Sequence, residues 1–158
     1  MRTTIRTIRA VLCDQRGAAI VLVMGAMVAA LAVMALAVDV GKLLTAESEA
    51  QRAADAGALA GASAFIDDPG NAEAIAKARA KEYAELHSVR HQTVSIVTDE
   101  DVTVDLVNFR VDVTVRQIGA RANPVPTFFA RIFGVNVVDV QAHAAAEAVP
   151  ANAVGCLT

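Results

Sequence analysis

The chain has 158 residues, 55% hydrophobic and 20% charged, which is too apolar for a disordered polypeptide and sized for one domain with an appendage. Aromatics make up only 4%, with no Trp and one Tyr, while Ala alone contributes 34 residues; such a chain is poor in the aromatic walls of deep ligand pockets, so no small-molecule substrate is expected. The net charge of −3 divides unevenly: Met1 to Arg16 carries +3, Gly17 to Val38 carries none, and Asp39 to Thr158 carries −6. An acidic main body lacks the basic surface that displaces counterions from phosphates, which argues against nucleic acid.

In chain order, residues 1–16 form a basic segment with Arg2, Arg6, Arg9 and Arg16. Residues 17–38 follow as GAAIVLVMGAMVAALAVMALAV, 22 residues without a charged or amide side chain, 12 of them Val, Ile, Leu or Met. As a helix at about 1.5 Å per residue the run is about 33 Å long, enough for a hydrocarbon core of about 30 Å. The positive flank precedes it, so the N-terminus is expected in the cytoplasm and everything after Asp39 outside. Ala35-Leu36-Ala37 also fits a signal-peptide cleavage site, but the apolar run exceeds the usual h-region of about 7–15 residues, and a membrane anchor is the stronger reading.

Beyond Asp39 the composition stays helical, and one continuous helix is expected from about Gly17 to Phe65, with residues 39–65 as a stalk. Ala46, Ala50, Ala54, Ala58 and Ala62 recur every four residues, beside a second small row of Ala53, Gly57 and Gly61. Small rows let another backbone approach closely. They suit packing against copies of the chain or other proteins, or equally a face that receives the chain's own C-terminal part. The residues expected to pack are Gly25 and Ala29 in the apolar run and Ala46, Ala50, Ala54, Gly57, Ala58 and Gly61 in the stalk.

Residues 66–158 are expected to form a small α+β domain. Asp67-Asp68-Pro69-Gly70-Asn71 reads as a turn, without the Asp-x-Asp-x-Asp-Gly spacing of a calcium loop. A helix follows from Ala72 to about Ser88, with Ile75, Ala76, Ala80, Tyr83, Ala84 and His87 on one stripe, expected to lie on a sheet. The period then changes to two. Val102, Val104 and Leu106 alternate with polar residues, as do Phe109, Val111, Val113 and Val115, and later Val138, Val140, Ala142, Ala144 and Ala146. These read as half-buried strands, with Val94 and Ile96 as a further strand or extension. Gln141 to Ala148 has high helix propensity as well, which competes with the strand reading. A short helix is expected from about Val125 to Phe133, stopped by Gly134. The fold class is therefore α+β: a long N-terminal transmembrane and stalk helix, then a small antiparallel sheet packed with one or two helices.

Catalytic chemistry finds little purchase. His87 and His91 are four apart, but Ser88 stands where an HExxH motif has Glu, and no third ligand follows. Cys13 and Cys156 flank the membrane segment and would lie in different compartments. No phosphate-binding glycine loop and no nucleophile-elbow motif is present. No enzyme, cofactor or metal is expected.

Three stretches carry a family resemblance: Arg16-Gly17-Ala18-Ala19 before the apolar run, Ala37-Val38-Asp39-Val40-Gly41 at its end, and Gln51 to Ala62 in the stalk. In this order and spacing they resemble the N-terminal segment of TadE-like and TadG-like proteins of the Tad (Flp) pilus-assembly system. Pro126-Thr127-Phe128-Phe129-Ala130-Arg131-Ile132-Phe133-Gly134 and Val140 to Glu147 also resemble ectodomains of this group. The resemblance implies a structural protein of the bacterial inner membrane with a pilin-like N-terminal helix, partnered by the bilayer and by other Tad components or itself. Some members are cut by a prepilin peptidase after a Gly before the apolar run, with Glu five residues later. Here that Gly is Gly17 and the fifth residue after it is Leu22. Longer members add an adhesion domain, which these 158 residues do not contain, so assembly rather than adhesion is the expectation. The alternative is a single-pass envelope sensor or ligand-binding module, which would need a pocket with converging polar groups. A secreted enzyme released after Ala37 is the third reading, and it would need a catalytic set.

Overall fold

The structure, a computed structural model, describes residues 15–149, with side chains from residue 19 onward. Helix α1 runs Gln15–Ala62, 48 residues, about 72 Å at the helical rise of about 1.5 Å per residue. No proline interrupts it, and its residues are mostly good helix formers. It is long and apolar enough over its N-terminal part to cross a membrane, consistent with a single-pass membrane protein. The helix ends three residues before Phe65, and after Ser63 a short α2 (Ala64–Asp67) continues the path. Asp68 then accepts hydrogen bonds from the Gly70 amide and the Asn71 side chain, fixing the expected turn.

Helix α3 (Ala72–Glu85) runs back along α1 and buries Ala72, Ala76, Ala80 and Ala84. It packs mainly on α1 and meets the sheet chiefly at the edge strand Val102–Asp105, whereas the sequence suggested the sheet as its main support. Tyr83 faces outward rather than inward. The helix ends at Glu85 because a hairpin begins: β1 (Ser88–Val89) pairs with β2 (Gln92–Thr93). Arg90 and His91 hold positive φ at its tip, the backbone of a tight primed turn.

Val94 and Ile96 form no strand. Both are buried, with the Val94 amide donating to the His87 carbonyl and the Ile96 amide to the Glu85 carboxylate. A helical turn, α4 (Thr98–Asp101), precedes β3 (Val102–Asp105). Strands β3, β4 (Arg110–Gln117) and a C-terminal strand at Val140–Glu147 form an antiparallel sheet in which β4 is central. The expected short helix at 125–133 is replaced by β5 (Val125–Pro126), which pairs with β6 (Val137–Val138), and by a 3-10 turn at Ala130–Phe133. Pro124 and Pro126 cannot donate helical hydrogen bonds, the Thr127 amide donates to the Asn136 carbonyl, and the amides of Phe128, Phe129 and Ala130 are captured by a side chain from α1, as described below. Gly134 does terminate the turn, in the left-handed region at φ 89°.

The C-terminal strand, β7 (Val140–Glu147), settles the competition between strand and helix in favour of the strand. Its inward residues Val140, Ala142, Ala144 and Ala146 are buried against α1, and its neighbours in β4 are Val115, Val113 and Val111. Each large Val of β4 pairs with a small Ala of β7, which leaves room for the helix to approach the sheet. The core lies between this face and the C-terminal half of α1, and the charged residues of β4 face water.

Candidate functional site

Helix α1 divides into two lengths of opposite character. Among the described residues from Ile20 to Val38 the large apolar side chains are exposed. A Cβ built on Gly25 meets nothing within 4 Å, and Ala29 is equally uncovered. A bare, uncharged helix of this length is long and apolar enough to cross a membrane.

The stalk is clothed instead. Ala46, Ala50, Ala54 and Ala58 are buried by the chain's own head. Gly57 faces α3 and β4: an added Cβ would lie 2.8 Å from the Ala80 carbonyl oxygen and 3.4 Å from Val113 Cγ1. At Gly61 it would lie 2.9 Å from Val111 Cγ1 and 3.2 Å from the Ala76 carbonyl oxygen. Within the chain, then, the small rows of the stalk receive the chain's own C-terminal part, one of the two uses their spacing allowed. Of the eight residues expected to pack, six are covered internally and Gly25 and Ala29 remain open.

At the junction between the two lengths stands Asp39, the first charge after the apolar run and only 4% exposed. Its carboxylate accepts three backbone hydrogen bonds from the distant loop: Phe128 N–H at 2.7 Å, Phe129 N–H at 2.9 Å and Ala130 N–H at 2.6 Å. Burial pushes the carboxyl group up, but the three amides, helped by Lys42, outweigh it and hold Asp39 below the ordinary carboxylate range. Lys42 also donates to the Pro126 carbonyl and sits 5.6 Å from the centre of the Phe128 ring, with Arg131 at 5.5 Å. Asp39 thus ties the end of the apolar run to the Pro126–Gly134 segment. Both stretches stand out along the chain, but no local pattern joins them. The available signal was the lone carboxylate closing an uncharged run, opposite two prolines that break any helix.

Elsewhere the polar groups serve the head. Buried Asp101 accepts from Arg116 at 2.7 Å and from Arg121, and caps the Val97 amide at 2.8 Å. Asp112 is held below its usual range, first by hydrogen bonding from Arg110 and further by the neighbouring His143. His87 donates through Nδ1–H to the Tyr83 carbonyl in the last turn of α3, while His91 sits in the hairpin turn, so the two share no helix face. Among the described residues no group of three or more His, Cys, Asp or Glu is placed to hold a metal ion. Cys13 and Cys156 lie outside the described residues.

A family model described as putative Flp pilus-assembly TadE/G-like matches residues 17–64. The match takes in the bare apolar length, Asp39 and both small rows. No curated protein and no solved structure matches the chain.

Proposed function

We propose, from the match of residues 17–64 to the TadE/G-like Flp pilus-assembly family model, that the protein is a membrane-anchored structural component of the pilus-assembly apparatus. One observation carries the reading: a single helix is bare and apolar along one length and covered by its own head along the next. Residues 17–38 cross the bacterial inner membrane, residues 1–16 remain in the cytoplasm, and the stalk and head stand on the periplasmic side. The basic flank before the apolar run supports that orientation. The protein acts by packing with pilins, other Tad components or itself, and no bond is made or broken.

The internal cover over the stalk moves the expected partner contact into the membrane. Gly25 and Ala29 are four residues apart on the open part of the helix, where small side chains allow close helix–helix approach. Gly25→Leu combined with Ala29→Leu leaves the head untouched, because neither position meets it. The double variant is expected to insert normally but to copurify severalfold less with the other pilus-assembly proteins, with pilus output falling in step. Unchanged copurification and output would overturn the packing role. Intact mass of the mature protein tests the related proposal of pilin-like processing, which requires loss of residues 1–17.

A further inference from the structure

Three of the five Phe residues lie within six positions, Phe128, Phe129 and Phe133. The segment is conspicuously apolar on its outside: Phe128 is 51% exposed, Ile132 75% and Phe133 84%, and Val135 and Val137 follow with about half of their surface open. It is also well fixed. Asp39 binds the amides of Phe128 to Ala130. The β5–β6 pair closes the base of the loop, and buried Thr127 donates through its hydroxyl to the Val135 carbonyl across the loop. Phe128 and Phe129 stack edge to face at 4.8 Å. An apolar surface held this firmly by polar bonds is built to present itself to something.

Its position identifies the occupant. Asp39 is one residue past the apolar run, so the loop it binds stands level with the mouth of the membrane-spanning length. On α1, Leu36, Val38 and Val40, on either side of Asp39 along the sequence, also expose apolar side chains. Lys42 and Arg131 flank the Phe128 ring, placing two cations at headgroup height beside the apolar tips. We propose that Phe128–Phe133 is a second membrane contact: Phe128, Ile132 and Phe133 enter the bilayer interface beside α1, and Lys42 and Arg131 meet phospholipid phosphates. This rests on residues 17–38 spanning the membrane. It adds that the head is laid against the bilayer rather than held away from it. Amphipathic segments with cations above an apolar edge bind such interfaces.

The test uses the full chain with Cys13→Ser and Cys156→Ser, carrying one new labelling site at a time: Met27→Cys, Phe133→Cys or Val107→Cys. Each is labelled with a polarity-sensitive fluorophore and reconstituted into vesicles of phosphatidylethanolamine with a minor share of phosphatidylglycerol. The acyl chains are brominated, in separate preparations, near the headgroup to read the labels at 133 and 107 and near the chain end to read the label at 27, which lies at the middle of the apolar run. Val107 is the control, as exposed as Phe133 at 84% but in the β3–β4 turn, where neighbouring Phe109 packs on Phe65 at the far end of the stalk. Labels at 27 and 133 are expected to be quenched, that at 133 severalfold more than that at 107, and Asp39→Ala is expected to weaken quenching at 133 alone. Quenching at 27 with position 133 behaving like 107 would overturn the second contact and leave the anchor standing. No quenching at 27 would overturn both. A label at 133 shielded from aqueous iodide yet untouched by brominated lipid would assign the loop to a protein partner and overturn the proposal as well.

Discussion

A carboxylate that follows an apolar run meets two opposing demands. It must end the uncharged length, yet at Asp39 it is also withdrawn from water. Three backbone amides resolve the conflict, because a buried charge is tolerated when its lone pairs are filled. A carboxyl group depressed on folding adds stability that is complete above its unfolded pKa and disappears as pH falls through its folded value. Protection of the Phe128, Phe129 and Ala130 amides in hydrogen exchange is therefore expected to be constant at neutral pH and to decline below about pH 4. Asp39→Ala is expected to remove that protection at every pH. Loop amides that stay equally protected in the variant would show that Asp39 does not hold them.

At the scale of elements, small residues decide how closely helix and sheet approach. The Ala ladder of β7 and the Ala row of α1 face each other, and Gly57 and Gly61 lie where a carbonyl of α3 and a Val of β4 leave no space for a methyl group. Helix propensity alone would favour Gly57→Ala by about 1 kcal/mol. The contact at 2.8 Å to the Ala80 carbonyl oxygen reverses the sign, since overpacking a close contact costs about 1–3 kcal/mol. Thermal unfolding of the detergent-solubilised chain, followed by circular dichroism, is expected to show a lower midpoint for Gly57→Ala and none of that loss for Gly25→Ala. Equal midpoints for Gly57→Ala and the unaltered chain would mean that the head does not rest on the stalk at this height.

The described residues are built along α1, about 72 Å long by its helical rise, with one length of it bare and the other wrapped by the chain's own sheet and α3. Nothing in the described fold covers the apolar length, so water is a poor solvent for the intact chain. The full-length protein is expected in the membrane pellet after alkaline extraction and in solution only with detergent. Recovery as a detergent-free monomer in the supernatant would defeat the anchor and, with it, the bilayer contact of the Phe128–Phe133 loop.

Local pattern by itself determined much of this protein. The uncharged run of residues 17–38, the unbroken helical composition after it, the alternation of β4 and the stop at Gly134 are each set by neighbouring residues, so they were legible along the chain. Only tertiary structure decided the rest. A row of alanines says that something packs closely but not what, and here the chain's own head takes the stalk face and leaves Gly25 and Ala29 open. The Ala-rich β7 segment prefers a helix in isolation and became a strand because β4 offers a paired edge with complementary side-chain volume. Val94 and Ile96 were buried without a strand partner. Residues 125–129 gave up the helix because Asp39, almost ninety positions earlier in the sequence, takes the amides a helix would have used. Such long-range pairings leave no mark in local periodicity, since the energy that favours them exists only once distant segments have met.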